Sequence, residues 1–153
     1  MMNITQARIE DAEEILNLQK LAFEGQARIY NNDQLPPLLQ KLDEIKTEFQ
    51  EKIFLKAILN GKLIGSVRAY EDEGTCYIGR LIVHPKHQNQ GIGVQLMNAI
   101  EGIYNTCNRF ELFTGHKSEK NLYLYKKLGY KIFKTQEEEN NSQVKLYYME
   151  KTL

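Results

Sequence analysis

The sequence has 153 residues, of which 42% are hydrophobic and 26% charged, and its 20 Lys and Arg balance its 20 Asp and Glu. This length and composition are typical of one globular domain, spanning 1–153, and exclude a fibrous or fully disordered chain. The zero formal net charge argues against a protein whose main task is to coat nucleic acid or an anionic membrane.

The first third of the chain predicts one strand and two helices. Alternation predicts a short strand over residues 3–8. Apolar residues at helical spacing predict a helix over 10–23, which Gly25 ends. Pro36-Pro37 opens a second predicted helix over 38–50.

From residue 53 the hydrophobic period changes to two, which predicts a three-stranded meander over 53–59, 62–70 and 75–83. Asn60-Gly61 is a favoured hairpin dipeptide, and 71–74 forms the second turn. Helices over 91–104 and 118–128 alternate with strands over 109–114, 130–134 and 144–150, with a charged loop at 136–141. The order β-α-α-β-β-β-α-β-α-β-β predicts an α/β (α+β) fold, a mixed and mostly antiparallel sheet with helices on both faces.

The cysteines and the N-terminus indicate neither a metal site nor a membrane segment. Cys76 and Cys107 are far apart in the sequence and have no His at ligand spacing, so no metal is expected. There is no apolar run of about 18 residues. We expect a cytoplasmic protein with reduced thiols.

The segment from Ile82 to Gly93 is the one motif with recognisable chemistry. It runs from an apolar strand through a loop into an amphipathic helix, with glycines at 91 and 93. The loop amides lead into the positive end of the helix, which suits a pyrophosphate. The segment lacks the third glycine of a dinucleotide fingerprint and the Gly-Lys-Ser/Thr of a nucleoside triphosphate loop. Two simple turn glycines are the alternative.

Gln88-x-x-Gly91-x-Gly93, after a Val-x-Pro strand end, resembles the acetyl-coenzyme A motif of the GNAT N-acetyltransferase superfamily. The segment from Asn121 to Tyr130 is similar to the family's Asn-x-x-x-Tyr-x-x-x-Gly-Phe/Tyr pattern. The order of strands and helices also resembles that of the family, so the resemblance covers nearly the whole chain and implies a GNAT-like fold.

The resemblance implies acetyl-CoA as the cofactor. Amides of the loop and first helical turn bind its pyrophosphate, at Gln88, Asn89, Gln90, Gly91, Ile92, Gly93 and Val94. The preceding strand pairs with the pantetheine arm, beside a splayed gap in the sheet, at Leu81, Ile82 and Val83. In the following helix, Asn121 supplies an amide near the arm, and the phenol of Tyr125 protonates the departing thiolate.

Alternatives remain for these helix residues. Asn121 is also consistent with a helix-surface residue and Tyr125 with a core aromatic. The 3′-phosphate of coenzyme A meets at least one lysine of a basic group, namely Lys86, Lys117, Lys120, Lys126 and Lys127. Residues 1–75 carry 13 acidic and 9 basic side chains, whereas 76–153 carry 7 and 11. This division fits either two oppositely charged sites or a chance scatter.

The general base is where the sequence departs from the family pattern. Many GNAT enzymes carry a Glu four residues before the Val of Val-x-Pro, where this chain has Gly79. Glu24 near the first helix is one candidate replacement. Glu71, Asp72 and Glu73 at the meander turn are others, and a water relay is a further possibility. His84 and His87 flank the loop and are expected to be exposed rather than catalytic.

Arg68 and Arg80 lie in the middle of neighbouring strands. If both face the same side, an anion between them offsets their repulsion, and a substrate carboxylate or phosphate fits that role. Pairing with a local Glu or Asp is the alternative. Tyr30 and Tyr70 are predicted to line the same cleft.

We therefore expect an enzyme that transfers acetyl from acetyl-CoA to a primary amine, by direct attack in a ternary complex. The expected partner is a small-molecule amine, with no nucleic acid or membrane, and the protein is a monomer or homodimer. Alternatives on the same fold are a non-catalytic acyl-CoA sensor and an acetyltransferase of protein N-termini or lysines. A nucleotide-binding module and a nucleic-acid binder are more distant alternatives.

Overall fold

The structure, a computed structural model, describes residues 1–138 and 141–153. Its described strands form one seven-stranded sheet in the order β1-β2-β3-β4-β5-β7-β6. They are β1 (Met2–Gln6), β2 (Ile53–Leu59), β3 (Lys62–Asp72), β4 (Thr75–Val83), β5 (Arg109–Gly115), β6 (Lys131–Glu138) and β7 (Asn141–Thr152). Only β4 and β5 run parallel; the other neighbouring pairs in the described residues are antiparallel. The predicted mixed, mostly antiparallel sheet is confirmed.

Helices cover both faces of this sheet. They are α1 (Ala12–Tyr30), α2 (Pro36–Leu39), α3 (Leu42–Glu48), α4 (Ile92–Ile103) and α5 (Glu119–Lys127). Successive residues of β2 point to opposite faces: Phe54 packs with Ile15 and Ile45 of α1 and α3, whereas Leu55 packs in the cluster that contains α4 and Tyr125 of α5. The core is therefore two apolar layers, one on each side of the sheet.

The two meander turns have the left-handed backbone that tight hairpins need. Asn60 and Gly61 have φ of 52° and 81°, and Glu73 and Gly74 have 50° and 83°. The predicted strands 53–59 and 75–83 match β2 and β4. The predicted second turn at 71–74 is too long, because β3 continues to Asp72 and leaves only two residues to turn.

The predicted end of the first helix at Gly25 is wrong. α1 continues to Tyr30 and stops at Asn31, which adopts a left-handed φ of 48°. A glycine inside a helix costs about 1 kcal/mol, which tertiary contacts of the last turns can offset. Gln26 and Tyr30 both contact Ser118, in the loop between β5 and α5.

The predicted helix over 38–50 is in fact two short helices. Gln40 and Lys41 are extended, with ψ of 137° and 159°. The Gln40 side chain accepts a hydrogen bond from Gln19 Nε2 at 2.9 Å. The Lys41 N–H donates to Glu44 Oε1 at 2.8 Å, which starts α3.

The predicted charged loop at 136–141 is shorter than expected. Residues 136–138 belong to β6 and residue 141 to β7; residues 139 and 140 lie outside the described residues. Cys76 and Cys107 are buried free thiols. Within the described ranges, no helix has both the length and the apolar character needed to cross a membrane.

Candidate active site

A slot opens in the middle of the sheet where β4 and β5 part. Their parallel pairing joins Thr75 to Arg109 and ends where Tyr77 faces Glu111. Both strands continue, β4 to Val83 and β5 to Gly115, without a shared ladder in the described part of the chain. The backbone of β4 that faces the slot is thus available to a ligand, as the predicted splayed gap requires.

The N-terminus of α4 lies at one end of this slot and presents free amides. The N–H of Gln95 donates to the Gly91 carbonyl at 3.1 Å, which is the first bond of the helix. The N–H groups of Ile92, Gly93 and Val94 precede it and have no carbonyl one turn earlier. Gly91 is the N-cap residue of α4 and makes no side-chain cap hydrogen bond to these amides. These amides and the helix dipole together suit an anion.

The loop before α4 is held in the shape that directs these amides. Asn89 and Gly91 adopt left-handed φ angles of 63° and 79°. The Gln88 side-chain amide donates to the Val83 carbonyl at 3.5 Å, and His84 Nδ1 accepts from the Lys86 N–H at 3.1 Å. Both bonds join residues within 83–88, so they brace the first part of the loop against the end of β4.

A cavity of about 650 Å³ runs along the slot to the α4 N-terminus. Most residues predicted to bind the cofactor line it, namely Leu81, Ile82, Val83, Gln88, Asn89, Gly91, Ile92, Gly93, Val94, Asn121 and Lys127. A Cβ added at Gly93 would meet Leu124 Cδ2 only at 3.4 Å, so protein packing does not require glycine there. The glycine instead leaves the cavity open beside the amides, which fits a bulky phosphorylated ligand.

α5 forms the opposite wall. Asn121 lines the cavity and donates from Nδ2 to Thr114 Oγ1 at 3.4 Å, which ties α5 to β5. Lys120 and Lys127 also line it, whereas Gln90 and Tyr125 are not among its lining residues. Tyr125 is only 5% exposed and belongs to the core beside Tyr130. Burial raises the pKa of its phenol above the usual 10.0.

A sequence model of the acetyltransferase (GNAT) family matches residues 12–130. The chain belongs to this family. The match contains the slot, the glycine loop, α4 and α5, so the resemblance of the two motifs is confirmed. A GNAT fold and the family's association with acetyl transfer and coenzyme A follow from this membership.

The chain is also similar to part of a longer curated protein. The UPF0157 protein YqkA of Bacillus subtilis (strain 168) is 28% identical over 124 residues, which are 81% of this chain and 36% of that protein. The chain thus spans about a third of the length of this curated relative.

Two solved structures are similar in fold. The ribosomal-protein-S18-alanine N-acetyltransferase of Escherichia coli has a TM-score of 0.81 at 13% identity, covering 99% of this chain and 94% of that chain. The protein yncA of Salmonella typhimurium, whose structure contains acetyl-CoA, has a TM-score of 0.78 at 15% identity with coverages of 99% and 94%. At these identities the likeness shows the fold.

In this GNAT chain, α1 lies across the slot and is fastened to the loop after β5. The Tyr30 hydroxyl accepts from the Lys117 N–H at 2.8 Å and lies 3.0 Å from Ser118 Oγ. Because Ser118 Oγ donates to Gln26 Oε1 at 2.6 Å, Tyr30 donates to Ser118. A Cβ on Gly115 would overlap the Tyr30 hydroxyl. Tyr30, predicted as a substrate residue, thus joins α1 to the β5–α5 loop.

Arg68 is buried on the α1 side of the sheet. It pairs with a carboxylate of this chain, which is the alternative that the sequence left open. It is 1% exposed, and its Nη1 lies 3.0 Å from Glu48 Oε2. Its Nη2 donates to Gln19 Oε1 at 2.5 Å, and the guanidinium stacks 4.5 Å from the Phe54 ring. The Arg68 pKa is lowered to about 10, mainly by burial; the charge of nearby Arg80 contributes to this lowering, and Glu48 opposes it.

Arg80 lies beside this pair at an irregular point of β4. β3 pairs Arg68 with Gly79 and Ser66 with Ile82, so Val67 faces two residues of β4, which is a β-bulge. Arg80 occupies this bulge with a left-handed φ of 51°. Burial lowers the pKa of its guanidinium, and the charge of Glu48 opposes that effect.

The structure does not bring the other predicted acceptor-side residues to the cavity wall. Tyr70 stacks on Tyr77 with ring centroids 5.1 Å apart, at the end of the sheet where β4 and β5 are still paired. Glu24 is exposed on α1, outside the lining residues. The three acidic candidates of the meander turn, Glu71, Asp72 and Glu73, are exposed around the β3–β4 turn.

Sequence reasoning missed the contribution of α1 to the cavity. Ala22, Phe23 and Gln26 line it. Ala22 and Phe23 come four and three residues before Gln26, which places all three on one helical face. Only the packing of α1 across the slot gives that face a role. Within the described residues, no group of three or more His, Cys, Asp or Glu side chains is placed to hold a metal ion.

Proposed function

We propose that this chain is an N-acetyltransferase that moves the acetyl group of acetyl-CoA to a primary amine of a small molecule, in a ternary complex. The observation that carries this proposal is the slot between β4 and β5, which ends at the free amides of α4. This arrangement offers a polar backbone edge to an extended arm and an electropositive helix end to a pyrophosphate.

Different residues of the cavity bind different parts of acetyl-CoA. The amides of Ile92, Gly93 and Val94 hold the pyrophosphate, and Lys120 and Lys127 on the cavity wall attract the remaining phosphate. Leu81 and Val83 offer backbone groups to the pantetheine arm, with Asn121 facing them from α5. A strand amide near Val83 polarises the thioester carbonyl during attack.

Tyr125 is the proposed proton donor to the departing thiolate. Burial raises the pKa of its phenol, so the group stays protonated throughout the neutral range and can donate. Tyr125 is not itself one of the residues that line the cavity, and its assignment rests on the motif position that the sequence shares with the family.

The amine must lose a proton before it attacks. The carboxylates proposed for this step lie away from the cavity wall, and Gly79 stands at the position of the family's Glu. We infer that water relays this proton to solvent, so the reaction depends on the free-amine fraction in solution.

The test is thiol release from acetyl-CoA with a panel of primary amines, using wild-type protein and Tyr125→Phe. A general acid contributes about 10²–10⁴-fold, so we expect Tyr125→Phe to lower kcat about 100-fold while calorimetry shows unchanged coenzyme A affinity. Tyr70→Phe, which removes the hydroxyl of an exposed tyrosine outside the cavity lining, is the matched control and should retain wild-type kcat.

The pH profile gives a second readout. With a water relay and a phenol of raised pKa, kcat/KM should rise about tenfold per pH unit towards the pKa of the amine, without a falling limb below pH about 10. Full turnover by Tyr125→Phe would remove the general-acid role. Tight coenzyme A binding without turnover of any amine would favour the acyl-CoA sensor instead.

A further inference from the structure

Arg68, Arg80, Lys52 and Glu48 form a charged cluster on the side of the slot where the acceptor is expected. This cluster contains more positive charge than its one carboxylate balances. Glu48 is the carboxylate that pairs with Arg68, and it also binds Lys52 Nζ at 2.8 Å and accepts a hydrogen bond from Gln40. The charge of the same carboxylate also stabilises the charged form of Arg80. Two guanidinium groups and one carboxylate leave this group with one net positive charge, even before Lys52 is counted.

Two donors of this cluster also lack acceptors. Among the described residues, the buried side-chain nitrogens without a hydrogen-bond partner are Arg68 Nε and Arg80 Nη1. Buried polar groups in folded proteins are almost always bonded, and an unpaired one costs about 1–3 kcal/mol. Two such groups on neighbouring arginines therefore point to an acceptor that binds between or beside them.

The backbone conformation of Arg80 also indicates a functional role for its side chain. A left-handed conformation costs a non-glycine residue about 1–2 kcal/mol, and Arg80 adopts it with φ of 51° inside the β4 bulge. Strain of this kind collects at sites where a side chain must be aimed. A regular strand with Arg80 in the ladder would avoid the cost.

The cluster adjoins the cavity lining on two elements, β4 and α1. On β4, Arg80 immediately precedes Leu81, which lines the cavity. On α1, Gln19 bonds Arg68 and lies one helical turn before the lining residues Ala22 and Phe23, on the same face. Neither arginine is itself a lining residue, so an acceptor in the cavity has to reach just beyond its wall to contact them.

We propose that Arg68 and Arg80 bind a carboxylate of the acceptor, so that the acetylated molecule is an amino carboxylate. This inference rests on the proposed function. Arg68, Arg80 and Glu48 together carry one net positive charge, and Lys52 beside them is a quarter exposed, so that solvent screens its charge. The cluster therefore favours a monoanion over a dianionic phosphate. Arg68 Nε and Arg80 Nη1 each have a donor without a partner, so each can donate to one oxygen of a carboxylate, and Glu48 pairs with Arg68 at Nη1 and leaves Nε free.

The test uses matched acceptors that differ only in the charged group. Wild-type protein is assayed with acetyl-CoA and a set of α- and ω-amino acids, each beside its carboxamide. We expect kcat/KM at least about 30-fold higher for the acid in at least one pair, since hydrogen bonds to a charged group contribute about 1.5–3 kcal/mol. The α-carboxamides have the less basic amine, which works against this preference.

Arg80→Gln is the diagnostic variant. It should lower the acid-to-amide ratio at least tenfold, mainly through KM for the acid, while coenzyme A binding by calorimetry stays at the wild-type value. Lys20→Gln removes the same charge from an exposed position on α1, beside Gln19, and should keep the ratio. Arg80→Lys replaces Arg80→Gln if the latter does not fold, and should also lower the ratio because Lys is a point charge.

The outcomes separate this inference from the proposed function. Equal use of acids and amides, or a ratio that Arg80→Gln leaves unchanged, overturns the carboxylate site while acetyl transfer stands. Preference for aminophosphonates over amino carboxylates contradicts the charge count. If no amine is acetylated, the proposed function fails, and N-acetyl amino acids and their amides are titrated into the protein–coenzyme A complex. Equal affinities there overturn the inference as well.

Discussion

The two sides of the slot are built from different parts of the chain. The cofactor side consists largely of backbone groups within two short stretches of sequence. These are the end of β4 with the glycine loop and the start of α4, and α5. The acceptor side, here Gln19, Glu48, Arg68 and Arg80, consists of side chains from four separate elements. Backbone amides bind what the whole family shares, whereas assembled side chains distinguish one acceptor from another.

Removing the Glu48 carboxylate tests the acceptor side most strongly. In Glu48→Ala, Arg68 and Arg80 remain buried without a counter-charge, and the cost of breaking a buried pair is about 3–5 kcal/mol. Urea unfolding at neutral pH measures it. Lys52→Gln removes the more exposed partner of the same carboxylate and should cost less than about 1 kcal/mol. Similar losses in both variants would show that Arg68 does not depend on Glu48.

The same ion pair makes a pH prediction. Burial alone raises the Glu48 pKa, but the bond from Lys52 and the charge of Arg68 outweigh it, so the pKa lies below the usual 4.5. The stabilisation is therefore present above pH 4.5 and is lost as the pH falls through the lowered pKa. The stability difference between wild type and Glu48→Ala should shrink on acidification below pH 4.5. A constant difference down to pH 2 would contradict this origin.

Gly93→Ala tests the cofactor side by separating binding from stability. Alanine in a helix is about 1 kcal/mol better than glycine, and its Cβ meets only ordinary contacts with Leu124 and Leu81. Stability should therefore hold or rise, while coenzyme A binding weakens about tenfold because the methyl group enters the cavity. Gly102→Ala in the same helix is the control, because its Cβ meets nothing within 4 Å. It should change the stability as Gly93→Ala does and leave the affinity for coenzyme A unchanged. Equal affinities for both variants would place the pyrophosphate elsewhere.

Gly91→Ala has the smallest expected effect. A Cβ at Gly91 meets nothing within 4 Å, but φ is +79°, so the variant should lose about 1 kcal/mol from backbone strain alone. Gly79→Ala is the control, since its Cβ also meets nothing and its φ is not left-handed. Thermal unfolding compares the two. A loss at Gly79 as large as at Gly91 would show that the loop geometry is not what requires glycine.

The sequence alone was sufficient for features that depend on near neighbours. β2 and β4 were predicted to the residue, because alternation and the Asn60-Gly61 turn are local signals. The cofactor loop was predictable because Gly91, Gly93 and the start of α4 lie within a few residues of each other. Local propensity failed at Gly25 and Gln40, where contacts with Ser118 and with Gln19 and Glu48 decide where a helix ends or breaks.

What the sequence by itself determined is the sheet, the glycine loop and the family motif, because these follow from residue spacing and backbone geometry. Only the tertiary structure decided that Tyr30 fastens α1 across the slot, that Arg68 pairs with Glu48, and that Arg80 keeps a donor free. Those contacts join residues tens of positions apart, and their strength depends on burial that no local pattern records. The balanced charge of the whole chain therefore conceals a locally uncompensated positive charge at the place where we propose the acceptor binds.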